Sequence, residues 1–137
     1  MANDFEVSVP VAVPPDQAWA LAGDPARVGE WFAPVVACEV SGDVRTATMK
    51  NGAVLVERLV DRDEAGRSYS YAVESGIPGL TSHRATVRVT AEGDGSRVHW
   101  RQTATAGDPE YDIEARLSGV MTRGLEALRD ALEGGAR

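Results

Sequence analysis

The stretch from residue 108 to 133 constrains the fold more than any other part of the sequence. Apolar residues recur in it every three or four positions, the spacing of one helix face: Ile113, Leu117, Val120, Met121, Leu125, Leu128 and Leu132. Asp108 suits an N-cap, Pro109 the first helical position, and Gly134 with Gly135 a helix end. The pattern predicts a helix of about six turns that covers a broad apolar surface. Three of its residues are expected to be buried there: Leu117, Met121 and Leu125.

Upstream of this helix the sequence predicts one strand, two short helices and six further strands. Strict apolar–polar alternation indicates a strand at 4–13, and two proline-led segments at 15–22 and 24–31 indicate short helices. The later strands are separated by turns rich in Gly and Asp: 35–40, 44–50, 53–61, 67–74, 81–92 and 96–106. We therefore expect an α+β fold in which a curved seven-stranded antiparallel sheet wraps around the long helix.

Composition restricts the classes of function. The 137 residues are 43% hydrophobic and 26% charged, which suits a single domain over 1–137. The net charge of −7 disfavours nucleic acid and anionic membranes as partners, because both recruit Lys and Arg. Cys38 is the only cysteine, so the chain has no intramolecular disulfide and no four-cysteine zinc site. Neither a signal peptide nor a membrane-spanning run is visible, and we expect a cytoplasmic protein.

Alternation also predicts which side chains of the last three strands face the long helix. In the strand at 67–74 they are Tyr69, Tyr71 and Val73. In the strand at 81–92 they are His83, Ala85, Val87 and Val89. In the strand at 96–106 they are Val98, Trp100, Gln102 and Ala104. A two-residue turn at Asp94-Gly95 would pair Val89 with Trp100, which agrees with these faces.

The hairpin around Asn51-Gly52 is ambiguous from its pattern. A two-residue turn places one set of residues on one face: Thr46, Thr48, Leu55, Glu57 and Leu59. The other face then carries Arg45, Ala47, Met49, Val54, Val56, Arg58 and Val60. Each face contains a charged residue that burial would have to explain, so the pattern alone leaves the choice open.

Several short motifs resemble a known family. They are Asp24-Pro25 with Trp31, residues 42–46, residues 56–59 with Asp63, Tyr69-Ser70-Tyr71 and Val98-His99-Trp100. With the order of elements, they resemble the helix-grip fold of the START/SRPBCC superfamily, and most closely its bacterial polyketide cyclase/dehydrase-like branch. The resemblance implies an apolar cavity between sheet and helix, with Glu57 and Thr46 facing it and Arg58 facing away. Since the superfamily includes cyclases, dehydratases and carriers, it does not name one activity.

The residues expected to line the implied cavity fall into two sets, one of catalytic candidates and one of ligand-binding candidates. The catalytic candidates are Glu57 and His83, as acid and base, and Tyr71, which would polarise a carbonyl. No inward-facing Arg or Lys is expected to balance the Glu57 carboxylate. The ligand-binding candidates are Thr46, Thr48, Leu55, Leu59, Tyr69, Val87, Trp100, Gln102, Leu117 and Met121. Structural roles compete with these assignments, because an inward Glu or Tyr often serves packing and His83 lies near a strand end.

We therefore expect a cavity protein that takes a hydrophobic small molecule. The first hypothesis is cofactor-free cyclisation or dehydration of an apolar oxygenated metabolite, and the alternative is a non-catalytic carrier or sensor. The sequence shows no glycine-rich phosphate loop, nucleophile motif or His-based metal site, so we expect neither cofactor nor metal. If Glu57 faces inward, Val54, Val56 and Val60 form an outer apolar patch suited to a homodimer.

Overall fold

The computed structural model describes residues 2–108, 110 and 112–134, without the side chain of Ala2. Its elements in chain order are β1 (Ala2–Val11), α1 (Pro15–Ala22), a 3-10 helix (Pro25–Glu30), β2 (Val35–Ser41), β3 (Val44–Met49), β4 (Val54–Asp63), β5 (Ser68–Ser75), β6 (Leu80–Glu92), β7 (Gly95–Ala106) and α2 (Ile113–Gly134). The strands form one antiparallel sheet of seven in the order β1-β7-β6-β5-β4-β3-β2. The expected helix-grip arrangement is confirmed.

The helix α2 begins later than its predicted N-cap. Asp112 Oδ1 accepts a hydrogen bond from the backbone N–H of Ala115 at 3.0 Å, so Asp112 is the N-cap. Asp108 instead caps a turn by accepting from the Glu110 N–H at 2.9 Å. The prediction of Asp108 as the cap is therefore wrong, and Pro109 lies outside the described residues.

The apolar stripe of α2 packs against the sheet, as expected for two of the three named residues. Met121 and Leu125 are each 1% exposed, whereas Leu117 is only partly buried because it borders a cavity. Gly124 allows the helix a close approach, since a Cβ there would lie 2.7 Å from Phe32 Cδ1.

The turn between β6 and β7 is Gly93-Asp94, because Glu92 pairs with Gly95. Gly93 has a φ of +56°, which suits the first position of a tight hairpin turn. Val89 therefore faces Val98 and not Trp100, so the predicted pairing is wrong by two residues. A shift of two leaves every side chain on its predicted face, because the side-chain period of a strand is two.

The turn between β3 and β4 has three residues, Lys50, Asn51 and Gly52, closed by the pair Met49 and Ala53, where the sequence predicts two. The Met49 N–H donates to Ala53 O at 2.8 Å, and the Gly52 N–H donates to Met49 O at 2.9 Å. Gly52 has a φ of +91°, as a three-residue hairpin loop requires. The loop therefore shifts the register by one residue, which reverses the faces of β3 relative to β4.

The new register places Arg45 opposite Glu57, where the sequence predicts Thr46. Glu57 faces the concave side and Arg58 faces outward, as the resemblance implies. Thr46 and Thr48 are adjacent in the chain to inward residues and lie on the outer face, so their predicted inward orientation is wrong. The inner face of this hairpin consists of Arg45, Ala47, Met49, Leu55, Glu57 and Leu59.

Candidate functional site

A cavity of about 160 Å³, here called the inner cavity, lies between α2 and the sheet. Its apolar walls come from the loop after the 3-10 helix, from the strands, from the β5–β6 loop and from α2: Phe32, Pro34, Met49, Leu55, Val73, Ile77, Trp100, Leu117, Val120 and Met121. Four polar side chains also line it: Glu57, Tyr71, His83 and Gln102. Apolar cavities of about 150 Å³ bind benzene, so the inner cavity admits a small ring or a short chain.

Beside this cavity, Arg45 and Glu57 form a buried ion pair. Arg45 Nε donates to Glu57 Oε1 at 2.8 Å, and the two residues are 2% and 7% exposed. The guanidinium also donates from Nη1 to Tyr69 Oη at 3.3 Å and to the Pro25 carbonyl at 3.1 Å. Glu57 thus has the cationic neighbour that the sequence analysis expected to be missing. Among the described residues only Arg45 donates to Glu57, which leaves the second carboxylate oxygen, Oε2, without a partner.

His83 is held in one neutral tautomer. Its Nδ1 accepts from the backbone N–H of Val73 at 3.0 Å, so the proton lies on Nε2 and is donated to Gln102 Oε1. Burial lowers the pKa of His83, although the bond to Gln102 and the charge of Glu57 act in the opposite direction. The amide of Gln102 is thereby oriented with its oxygen toward His83, and its NH₂ group is left to donate elsewhere.

Tyr71 is a protonated donor on the wall of the cavity. Burial, with the negative charge of Glu57 adding to it, raises the pKa of Tyr71 well above that of a free tyrosine. Trp100 Nε1 donates to the Tyr71 hydroxyl oxygen at 3.0 Å. The guanidinium carbon of Arg45 lies 4.6 Å from the centre of the Tyr71 ring. No described residue accepts the hydroxyl hydrogen of Tyr71, which is available to a ligand.

The structure brings eight of the predicted site residues to the inner cavity. They are Leu55, Glu57, Tyr71, His83, Trp100, Gln102, Leu117 and Met121. Leu59, Tyr69 and Val87 face the same side of the sheet but belong to the packed core away from the cavity. Thr46 and Thr48 do not reach it because of the register shift described above. On the outer face, Val54 is 46% and Val60 is 42% exposed.

Sequence reasoning missed two kinds of residue. Phe32 and Pro34 lie in a loop, where no periodicity indicates which side chain turns inward. Arg45 and Met49 face inward because of the three-residue loop, which the Asn-Gly pair alone does not reveal. Val73 and Val120 line the cavity and stood on the predicted inner faces, so alternation and the helical stripe were sufficient to find them.

The described residues offer no obvious metal site. Within 2–108, 110 and 112–134, no three His, Cys, Asp or Glu side chains are grouped so that they could hold a metal ion. No described helix has the length and apolar character needed to cross a membrane.

Comparison with known proteins identifies the family. Residues 2–133 match the family described as "Polyketide cyclase / dehydrase and lipid transport". The chain belongs to this family. None of the curated proteins is significantly similar to it in sequence.

Solved structures share the fold along nearly their whole length. A protein from Thermobifida fusca is 30% identical, with a TM-score of 0.81 over 96% of this chain and 93% of that one. XoxI from Bacillus cereus is 23% identical, with a TM-score of 0.88 over 98% of both chains. The Zhui aromatase/cyclase from Streptomyces sp. R1128 is 17% identical, with a TM-score of 0.85 over 100% of this chain and 97% of that one. At such identities the last two similarities establish the fold alone.

Proposed function

We propose that the inner cavity binds a mostly apolar molecule, or the apolar end of a larger one, that presents a carbonyl or hydroxyl oxygen there. The observation that carries this proposal is the meeting of apolar walls and free hydrogen-bonding groups in the inner cavity. The Tyr71 hydroxyl and the Gln102 amide can donate to a ligand oxygen, and Glu57 Oε2 can accept from a ligand hydroxyl. Ligand pockets typically combine mostly apolar walls with a few directed polar groups of this kind.

The contacts that already hold Glu57 and His83 favour binding over acid–base catalysis. Glu57 is hydrogen-bonded to Arg45, whose guanidinium stays charged at all accessible pH values. Both ring nitrogens of His83 are already engaged, one by Val73 and one by Gln102. His83 therefore cannot take up a proton at Nδ1 without losing the bond from the Val73 N–H, and a neutral Glu57 would leave the buried charge of Arg45 without its counter-charge. The family description includes lipid transport as well as cyclases, which is compatible with this role.

Cofactor-free cyclisation or dehydration of an oxygenated apolar metabolite is the second candidate. It is favoured by the presence of Glu57 and Tyr71 on the wall of one cavity. A carboxylate oxygen there would take a proton from a carbon next to a carbonyl, while the neutral phenol would stabilise the oxygen that gains charge. The inner cavity of about 160 Å³ would have to widen before it admitted a polyketide chain.

The binding proposal is tested with a pair of probes that differ in one oxygen, acetophenone and ethylbenzene. We expect the wild type to bind both, and to bind the ketone about 3–10-fold more tightly, the usual worth of a net hydrogen bond. Tyr71→Phe should remove most of this preference and retain ethylbenzene binding. The matched control is Thr103→Val, since Thr103 adjoins Gln102 on the opposite face of β7.

The readout is an NMR titration of backbone amides and side-chain methyl groups, with circular dichroism to verify that each variant is folded. Shifts of Leu117 and Met121 with either probe support binding in the inner cavity. The absence of shifts at both residues with both probes would contradict the proposal.

A further inference from the structure

A second space of about 350 Å³, here called the outer chamber, adjoins the inner cavity. The two share Pro34, Met49 and Val120 in their walls, and the consecutive residues Trp31 and Phe32 line the outer and the inner space respectively. Its volume is within the range of about 300–1,000 Å³ that is usual for small-molecule pockets. The walls are largely apolar, so an apolar molecule in the inner cavity could extend into this space.

Two cationic side chains, Lys50 and Arg123, stand on the wall of the outer chamber. Among the described residues, neither takes part in an ion pair or a side-chain hydrogen bond. Lys50 is also the only lysine of a chain whose net charge is −7. In such an acidic protein a cationic side chain has many carboxylates with which it could pair. Two cations that remain unpaired beside an apolar chamber therefore indicate a binding place for an external anion.

Trp31 adds a buried donor without an acceptor. The residue is 4% exposed, and its indole Nε1 has no hydrogen-bond partner among the described residues. The N–H of a buried tryptophan usually finds an acceptor, and leaving it unmatched is destabilising. Trp31 lines the outer chamber but its Nε1 is covered, so a ligand oxygen would become the missing acceptor only after a small movement of the indole or of the chamber wall.

We propose that the outer chamber binds the carboxylate of an amphiphilic carboxylic acid whose apolar end occupies the inner cavity. This inference rests on the proposed function, because the inner cavity has to accept the apolar end. Arg and Lys bind carboxylates through charge-assisted hydrogen bonds, and Arg123 and Lys50 approach the chamber from α2 and from the β3–β4 loop. The apolar wall between them and the inner cavity, with Met49 and Val120, carries the connecting atoms of the ligand.

The test compares 4-phenylbutanoate with 4-phenylbutanamide, which have the same shape and differ in charge, by isothermal titration calorimetry at low ionic strength. We expect the wild type to bind the acid about 10-fold more tightly than the amide. The double variant Lys50→Gln/Arg123→Gln should lose this preference, because its affinity for the acid should fall to about its affinity for the amide. Raising the salt concentration should reduce the preference of the wild type, because partly exposed charges are screened.

The control variant is Arg84→Gln/Arg88→Gln, which also removes two positive charges, but from the exposed outer face of β6. It should keep the full preference for the acid, which separates a local contact from an effect of net charge. Preference retained in the Lys50→Gln/Arg123→Gln protein would overturn the assignment to these residues.

Two further outcomes distinguish this inference from the proposal on which it rests. Equal affinity of the wild type for acid and amide would overturn the carboxylate site and leave the proposed function standing. If neither phenylbutyryl probe binds while acetophenone does, the outer chamber is not an extension of the ligand site. If acetophenone fails as well, the proposed function itself is wrong.

Discussion

Arg45 and Glu57 lie directly opposite each other on β3 and β4 and form a buried ion pair, with Nε and Oε1 2.8 Å apart. Removing one partner leaves the other charge buried without compensation, which typically costs about 3–5 kcal/mol. We therefore expect Glu57→Leu to destabilise the fold by that order, and Arg45→Met/Glu57→Leu to recover a large part of the loss.

Urea denaturation of the single and double variants measures this coupling. The control is Arg58→Gln, because Arg58 is the next residue along β4, pairs with Asp43 and Glu74, and has a side chain that is 43% exposed. It should change the free energy of unfolding very little. A double variant no more stable than Glu57→Leu would show that the two charges are not energetically coupled.

The ion pair also shows where sequence reasoning ends. Strong alternation in β5, β6 and β7 made the inner faces predictable, and an error of two residues in the β6–β7 turn did not disturb them. In the β3–β4 hairpin both faces carry apolar and charged residues, so the pattern could not correct an error of one residue. This shift of one residue in the register decides whether Glu57 lies opposite Thr46 or opposite Arg45.

The length of α2 was predictable to within a turn because its stripe is continuous. Its start was not, because both Asp108 and Asp112 are good N-cap residues and both accept a backbone N–H. The contribution of Phe32 to the cavity depends on how a loop packs against Gly124 and Trp100, which is a long-range contact without a sequence signature.

The two leucines Leu117 and Leu125 should respond differently to truncation. Leu125 is buried in the core, so Leu125→Ala should lower the free energy of unfolding by about 2–5 kcal/mol. Leu117 borders the inner cavity and is partly buried, so Leu117→Ala should cost clearly less while enlarging the space for a ligand. Chemical denaturation tests the pair, and equal losses would contradict the described position of α2.

His83 should make stability depend on pH. Burial lowers its pKa in the folded protein below the unfolded value of about 6.5, so between these values the unfolded state binds more protons. The contribution of His83 is therefore complete above about pH 6.5 and is lost as the pH falls toward the folded pKa. Protonation of Nδ1 would also break its bond with the Val73 N–H. Unfolding free energies at several pH values should fall more steeply for the wild type than for His83→Gln, and parallel curves would contradict the assignment.

Catalysis can be separated from binding with acetophenone, since removal of a methyl proton is the first step of any enol chemistry. For a binding protein we expect no acceleration of deuterium exchange at this methyl group over the rate in buffer. If the wild type accelerates exchange and Glu57→Gln lowers the rate by about 10²–10⁴-fold, the result supports the cyclase or dehydratase function over binding alone. The stability of Glu57→Gln must be verified first, because the substitution leaves Arg45 without its counter-charge.

The most direct test of ligand binding beneath α2 is the position of bound acetophenone, measured as intermolecular NOEs to assigned side chains. We predict NOEs from the aromatic protons of the probe to Leu55, Leu117 and Met121, which line the inner cavity. NOEs confined to exposed apolar residues of the outer surface, such as Val36, Val54 and Val60, would contradict the account.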